Sequence, residues 1–184
     1  MTSFDAKTKI WSGKKVSRDE NNLTFREEVF ECLSSNPEKV FQISDDEGIV
    51  LTYAQTKLMS IRVAQNLTRL GIGKGDVVTT FFSSSTFVAP IVFGSVFVGA
   101  PINALIYGKS VTIEWLQEHF IETQTKMIIV ENGLEIVEPL VKGFKENKID
   151  CKIFLVKPDN EIQIKGVHSY SELLNETGNE MNFK

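Results

Sequence analysis

Residues 48–103 read GIVLTYAQTKLMSIRVAQNLTRLGIGKGDVVTTFFSSSTFVAPIVFGSVFVGAPIN, and this stretch decides the fold. Thr52-Tyr-Ala-Gln55 has the form of a capping box, in which the Thr hydroxyl accepts from the third helical N–H and the Gln side chain reaches back to the Thr N–H. The helix it opens carries Ala54, Leu58, Ile61, Ala64 and Leu67 at helical spacing, which predicts that these residues form its buried face. Gly71 is expected to stop the helix, because a left-handed residue there costs glycine nothing. Val77–Phe82 then reads as a strand, Thr86–Val98 as a second helix, and Pro101–Leu105 as a second strand. Gly71-Ile-Gly73-Lys-Gly75 has the composition of a phosphate loop in the wrong setting. A phosphate cradle follows a strand and opens a helix, so that free helical N–H groups face the anion. Here the glycines follow a helix and lead into a strand, which makes them a helix stop and a tight turn.

The alternation continues outward from this stretch. Helix Thr112–Thr123, strand Met127–Val130, helix Leu134–Glu146 and strand Lys152–Val156 follow in order. A short strand is expected at Glu161–Lys165, then a last short helix capped by Ser169 with Glu172. On the amino-terminal side, Leu23–Leu33 reads as a helix capped by Thr24 and Glu27. Val40–Ser44 and Ile49–Leu51 read as a hairpin about Asp45-Asp46-Glu47-Gly48. Those acids lack further ligands at calcium-loop spacing, so a solvated turn is the expectation. Short apolar strands separated by helices predict an α/β fold, a Rossmann-like layered unit. It would have a mostly parallel sheet, helices on both faces and an N-terminal β-hairpin. Residues 1–22 form a polar arm, and residues 23–184 one unit with no linker inside it.

Composition narrows the function classes. A chain of 184 residues with 42% hydrophobic residues can bury one core and is not a disordered segment. The net charge of −4, with no Lys/Arg run, argues against a nucleic-acid partner. Residues 77–108 contain no charged side chain, yet Pro90, Gly94, Gly99 and Pro101 interrupt them, so a strand and a buried helix are expected rather than a membrane span. Cys32 and Cys151 are widely separated and are read as reduced thiols, a disulfide being the alternative. Asn22, Asn66 and Asn175 fall in glycosylation triplets, but the polar amino terminus has no signal-peptide core.

Candidate chemistry is sparse. His119 is expected on a helix as a surface or groove residue, the alternative being a catalytic base. His168 lies beside Ser169 and Ser171, without a Gly-x-Ser-x-Gly elbow. Ser83-Ser84-Ser85 sits at a strand exit, where open α/β sheets bind ligands; the competing reading is a cluster of helix N-caps. No spacing of Cys or His suggests a metal centre. No catalytic, cofactor-binding or metal-binding residue is assigned.

The ordered spacing of Tyr53, Gly71, Asp76, Gly94 and Gly99 resembles the amino-terminal region of the AMP-forming acyl-CoA synthetases, the 4-coumarate–CoA ligase and insect luciferase-like group. The early Ile10-Trp11-Ser12-Gly13 and Asn36-Pro37-Glu38-Lys39-Val40 add to it. The resemblance covers roughly Ile10 to Tyr170. The chain departs where the family usually has an acidic residue, Asn and Ser near 83–85, and where it often has Asn-Pro in place of Asn103-Ala104. The resemblance implies a truncated N-terminal lobe of an adenylate-forming domain over 23–184. The parent activity would be ATP-dependent ligation of a fatty or aromatic carboxylic acid to CoA through an acyl-adenylate. In the full-length family, ATP, magnesium and CoA are used, and the phosphate loop lies downstream of the region matched. This chain alone is therefore expected to hold no cofactor and to be inactive. The resemblance also implies an intracellular setting, cytoplasmic or peroxisomal, although Met181-Asn-Phe-Lys184 is not a Ser-Lys-Leu ending. Two alternatives stand beside it: a non-catalytic protein pairing with a full-length ligase, and an unrelated enzyme using the Ser83–Ser85 exit.

Phe81, Phe82, Phe87, Phe93 and Phe97 crowd a segment that a larger enzyme would cover. Exposed apolar patches promote association. The isolated chain is expected to self-associate or dissolve poorly; a soluble monomer with a sharp melt and little binding of a hydrophobic dye would contradict this.

Overall fold

A computed structural model describes residues 3–13, 23–81, 85–105, 112–131, 134–156 and 164–183. Its centre is a five-stranded, all-parallel sheet in the order β6-β5-β7-β8-β9, with β5 at Val77–Phe81, β6 at Ile102–Leu105, β7 at Thr125–Glu131, β8 at Lys152–Val156 and β9 at Val167–Ser169. Side chains alternate across a strand, and here the alternation divides two cores. Met127, Ile129, Phe154 and Val156 meet one helical layer, and Ile128, Val130, Ile153 and Leu155 meet the other. The first layer contains α2 (Tyr53–Arg69) and α3 (Val88–Val98), represented by Val63, Leu67 and Ile91. The second contains α4 (Ile113–Glu122) and α5 (Leu134–Glu146), through Leu116, Phe120, Val137 and Leu140. Full burial on both faces explains why β7 and β8 are nearly continuous apolar runs.

Ahead of the sheet lie β1 (Ser3–Asp5) paired with β2 (Ile10–Ser12), α1 (Phe25–Ser35), and the hairpin of β3 (Val40–Ser44) and β4 (Ile49–Thr52). Both expected capping boxes form. Thr24 caps α1, its N–H donating to Glu27 Oε2 at 2.7 Å and its hydroxyl accepting from Glu27 N at 3.3 Å. The Thr24 N–H and hydroxyl hold the Glu27 carboxyl below its ordinary range. That contribution is present above the ordinary carboxylate pKa and is lost as pH falls through the folded value. Thr52 and Gln55 do the same for α2. At the other end of α2, Gly71 has φ 78°, Ile72 N donates to Leu67 O at 2.9 Å, and Gly71 N to Thr68 O at 3.0 Å. This is a Schellman stop, and the buried Ile72 and Leu67 supply its apolar contact.

Several expectations need correction. Ile61, Ala64 and Leu67 are buried as expected, but Ala54 is exposed and Leu58 is 40% exposed, and the buried face of α2 widens to take in Thr56, Ser60 and Val63. The cause lies on α3. A Cβ built on Gly94 would stand 2.6 Å from Val63 Cγ1 and 2.9 Å from Ser60 O, so the glycine admits the backbone of α2. Helix α3 begins at Val88 after an N-cap, Phe87, that makes no side-chain cap bond, two residues later than expected. The strand expected at 161–165 lies partly outside the described residues. Ile164 to Gly166 form a turn, with Val167 N donating to Ile164 O at 3.1 Å, and the strand is Val167–Ser169. The last helix is a 3-10 helix, Tyr170–Leu174, closed by the expected Ser169–Glu172 box.

The Phe-rich segment is not an exposed patch. Phe81 and Phe97 are buried, Phe87 and Phe93 are half-buried, and Phe82 lies outside the described residues. The exposed apolar side chains sit mainly on the two hairpins: Ile10, Trp11, Val40, Ile43 and Val50. No helix of the described residues is long and apolar enough to cross a membrane; the uncharged window divides into β5, α3 and β6 within its described part.

Gly94→Ala tests the α2–α3 contact. Helix propensity alone would gain about 1 kcal/mol, while overpacking against backbone and Val63 costs about 1–3 kcal/mol. Net destabilisation of up to about 2 kcal/mol is expected in urea melts, partly relieved by Val63→Ala in the same chain. A stabilised Gly94→Ala variant would contradict the packing.

Candidate functional site

The connections diverge at the sheet centre. β5 passes through α3 to β6 on one side, whereas β7 passes through α5 to β8 on the other. In open α/β sheets such a reversal marks the crevice where ligands bind, at the carboxyl ends of the strands. Of the serine cluster expected there, Ser83 and Ser84 lie outside the described residues and Ser85 is described. Ser85 does not cap α3 through its side chain. Its Oγ is buried and has no hydrogen-bond partner, and its carbonyl accepts from Gln42 Nε2 at 3.2 Å and Val88 N at 3.3 Å. At this helix start Glu47, from the β3–β4 turn, receives Thr86 Oγ1 at 2.6 Å and Thr86 N at 3.2 Å on Oε2. A carboxylate is favoured there by the positive end of the helix. The chain's own acid is therefore held by Thr86, immediately before the N-cap Phe87.

The glycine-rich run cannot serve instead. Gly73 N donates to Asp76 Oδ2 at 2.9 Å, Asp76 N to Gly73 O at 3.0 Å, and Gly75 N to Gly99 O at 3.1 Å. The N–H groups of Gly73 and Gly75 are thus consumed within the turn and by the end of α3. Gly75, at φ 88°, needs its glycine for that backbone.

The histidines are dispersed. Asn103 Nδ2 lies 2.8 Å from His119 Nε2 and donates to Thr79 Oγ1 at 3.3 Å. Thr79 Oγ1 meets Thr125 Oγ1 at 2.8 Å, and Thr125 Oγ1 meets Thr123 Oγ1 at 2.8 Å. Trp115 stacks on the His119 ring at 4.9 Å. The result is a polar seam tying α4 to the sheet, and the side chains it joins include no nucleophile other than threonine hydroxyls. His168 stacks on Phe154 and pairs with Glu172 at 3.2 Å, while Ser169 Oγ bonds Ser171 Oγ at 2.7 Å. No serine–histidine pair forms there. Both cysteines are free thiols; Cys32 is exposed, and burial pushes the Cys151 thiol up to about 12. A thiol so shifted is a poor nucleophile. Among the described residues no group of three or more His, Cys, Asp or Glu could hold a metal ion.

Sequence reasoning missed Gln42, Asn103 and Tyr170. Tyr170 follows β9, and its buried hydroxyl, like that of Ser85 after β5, has no partner. Burial drives its phenol above the usual range. Only tertiary packing reveals these groups, although Asn103 stood in view as the polar residue of an apolar strand.

The contact between Glu47 and the start of α3 predicts energetic coupling. Glu47→Ala should cost about 1 kcal/mol, and a double-mutant cycle with Thr86→Val should give about 1 kcal/mol of coupling in denaturant melts. Strict additivity would show that the carboxylate does not cap this helix.

The AMP-binding enzyme family matches residues 29–179. Over 80 residues the chain is 36% identical to 4-coumarate–CoA ligase 3 of Arabidopsis thaliana, covering 44% of this chain and 14% of that protein. The luciferase-like enzyme from the nonluminescent mealworm Zophobas morio superposes with a TM-score of 0.75 at 25% identity, over 94% of this chain and 39% of its own. A benzoate CoA ligase from Burkholderia xenovorans LB400 shares the fold, with a TM-score of 0.63 at 14% identity over 83% of this chain and 28% of its own. The chain thus spans well under half the length of each of these proteins. With the family matched across α2, α3 and the whole parallel sheet, this chain belongs to the AMP-binding enzyme family, in the amino-terminal region of its adenylate-forming fold.

Proposed function

We propose that residues 1–184 are the amino-terminal lobe of an AMP-forming acyl-CoA ligase and supply its framework rather than its reacting groups. In the parent reaction a carboxylate oxygen attacks the α-phosphorus of ATP and pyrophosphate leaves. The CoA thiol then attacks the acyl carbon and AMP leaves. That chemistry requires preorganised donors and positive charge around the phosphates. Among the described residues no group of acids, histidines or cysteines could hold the magnesium of a magnesium–polyphosphate group. The observation that supports the reading is that, among the described residues, donors at both phosphate-like features are already engaged. Gly73 and Gly75 N–H are spent inside a turn, and the Thr86 N–H and hydroxyl face the Glu47 carboxylate.

A second reading is favoured by the apolar hairpins. Trp11 is 69% exposed and Ile43 63% exposed, and such side chains suit packing against the remainder of an adenylate-forming fold. That remainder would belong either to a longer chain or to a full-length ligase acting as a partner. In both cases the acyl substrate is a small carboxylic acid bound by the assembled enzyme.

The test is carboxylate-dependent exchange of labelled pyrophosphate into ATP, with purified residues 1–184 and a panel of fatty and aromatic acids. No exchange above the no-acid background is expected. Turnover that persists after repurification from a ligase-deficient host would overturn the proposal.

A further inference from the structure

Residues 175–183 run along α2 without joining any sheet. They follow Leu173, which is fully buried, and Gly178 turns them at φ 77°. A 3-10 turn, Glu180–Asn182, lies near their end. One row of polar side chains holds them. Arg62, Gln65, Asn66 and Arg69 stand at i, i+3, i+4 and i+7, so they share one face of the helix.

These four side chains grip mainly the main chain. Asn66 Nδ2 donates to Leu173 O at 3.1 Å and to Asn175 O at 3.0 Å, which pins the start of the segment. Arg69 Nη2 donates to Thr177 O and Gln65 Nε2 to Asn179 O, each at 3.0 Å. The Thr177 hydroxyl donates in return to Gln65 Oε1. Arg62 bridges two acids, with Nη2 2.7 Å from Glu176 Oε1 and Nε 3.4 Å from Glu180 Oε1. At the far end the Phe183 ring centroid lies 5.6 Å from that of Phe97 and 6.3 Å from that of Phe30, with the Arg26 guanidinium over it at 5.7 Å. Phe30 and Phe97 also line a groove of about 650 Å³ between α1 and the end of α3, together with Val96 and Val98.

The balance of these contacts decides how the segment moves. Asn175, Glu176, Gly178, Asn179, Met181 and Asn182 are exposed, and Phe183 packs on the apolar cluster of α1 and α3. The bonds from Arg62, Gln65 and Arg69 lie at the surface, where water replaces them at small cost. Opening this segment breaks no sheet ladder and moves one apolar anchor, whereas unfolding β7 and β8 exposes both cores. Segments with few buried contacts and solvent-exposed bonds open below the global free energy of unfolding. We propose that residues 175–183 are a strap, hinged at Asn175 where Asn66 pins it, that opens as one unit while the sheet stays folded and so uncovers Phe30 and Phe97 beside the α1–α3 groove. The strap controls how much apolar surface this layer presents. The inference does not depend on the ligase reading, since it invokes no nucleotide and no acyl group.

Native-state hydrogen exchange of the ¹⁵N-labelled chain reads the opening. The amides of Thr177, Asn182 and Phe183 donate to Glu180 Oε1, Asn179 O and Glu180 O. They are expected to exchange with one shared opening constant, ahead of the β7 amides and with a smaller urea dependence. Ile129→Val separates the two openings: it should speed β7 exchange about fivefold and leave the strap amides unchanged. Arg62→Ala should speed strap exchange about fivefold. Phe183→Ala, with β7 still protected, should raise the fluorescence of a hydrophobic naphthalenesulfonate dye added to the chain. Strap amides that follow β7 both in Ile129→Val and in urea would show that the segment opens only by global unfolding, and would overturn the proposal. Unchanged strap exchange in Arg62→Ala, or unchanged dye fluorescence in Phe183→Ala, would overturn it as well.

Discussion

Two-sided burial of the central strands is the constraint from which the rest of the structure follows. β7 and β8 expose almost nothing on either face, so each must be covered by a separate apolar layer. That requirement places α2 and α3 on one side and α4 and α5 on the other. It also forbids an unpaired polar group in the middle. The exceptions on the α4 side, Thr79 and Thr125, are bonded to each other and joined through Asn103 and Thr123 into one seam reaching His119. The close approach of α2 to α3 is the second requirement, and Gly94 meets it by having no side chain.

The same architecture explains how two stretches of ligand-binding composition are used within the described residues. Just before α3 the N–H and hydroxyl of Thr86 meet Glu47, which comes from a hairpin that belongs to neither helical layer. The glycine-rich turn between α2 and β5 is an N–H-rich segment by composition. Asp76 and the end of α3 consume the donors of Gly73 and Gly75 because the turn's task is to bring the chain from a helix end to a strand start. In both places local structure and electrostatics converge on stability.

Much of this was legible in the amino-acid sequence because the signals are local. Thr24 with Glu27, Thr52 with Gln55 and Ser169 with Glu172 each state a helix start within four residues. Gly71 and Gly99 state two helix ends, and the apolar runs state β5, β7 and β8. What was not legible depends on partners distant in the chain. The buried face of α2 keeps Ile61, Ala64 and Leu67 but also takes in Ser60 and Val63, because Gly94, some thirty positions onward, admits them. The segment before Val167 turns where its composition suggested a strand, because Gly166 sits at φ 91° and the pairing edge of β8 is met only afterwards. Of the phenylalanines described around α3, Phe81 and Phe97 are buried and Phe87 and Phe93 half-buried, while exposed apolar side chains lie on hairpins whose alternation looked ordinary. At the candidate site, the buried hydroxyls of Ser85 and Tyr170 were invisible for the same reason.

In the proposed role this lobe frames an adenylate-forming site without supplying its phosphate-binding groups. The most direct measurement is an amide-resolved titration of the folded chain with magnesium ATP, observing Gly71–Asp76 at the glycine-rich turn and Ser85–Val88 at the start of α3. The account predicts no saturable shift in either segment at millimolar nucleotide. Saturable, site-specific shifts in either one would contradict it and would mark that segment as a phosphate site.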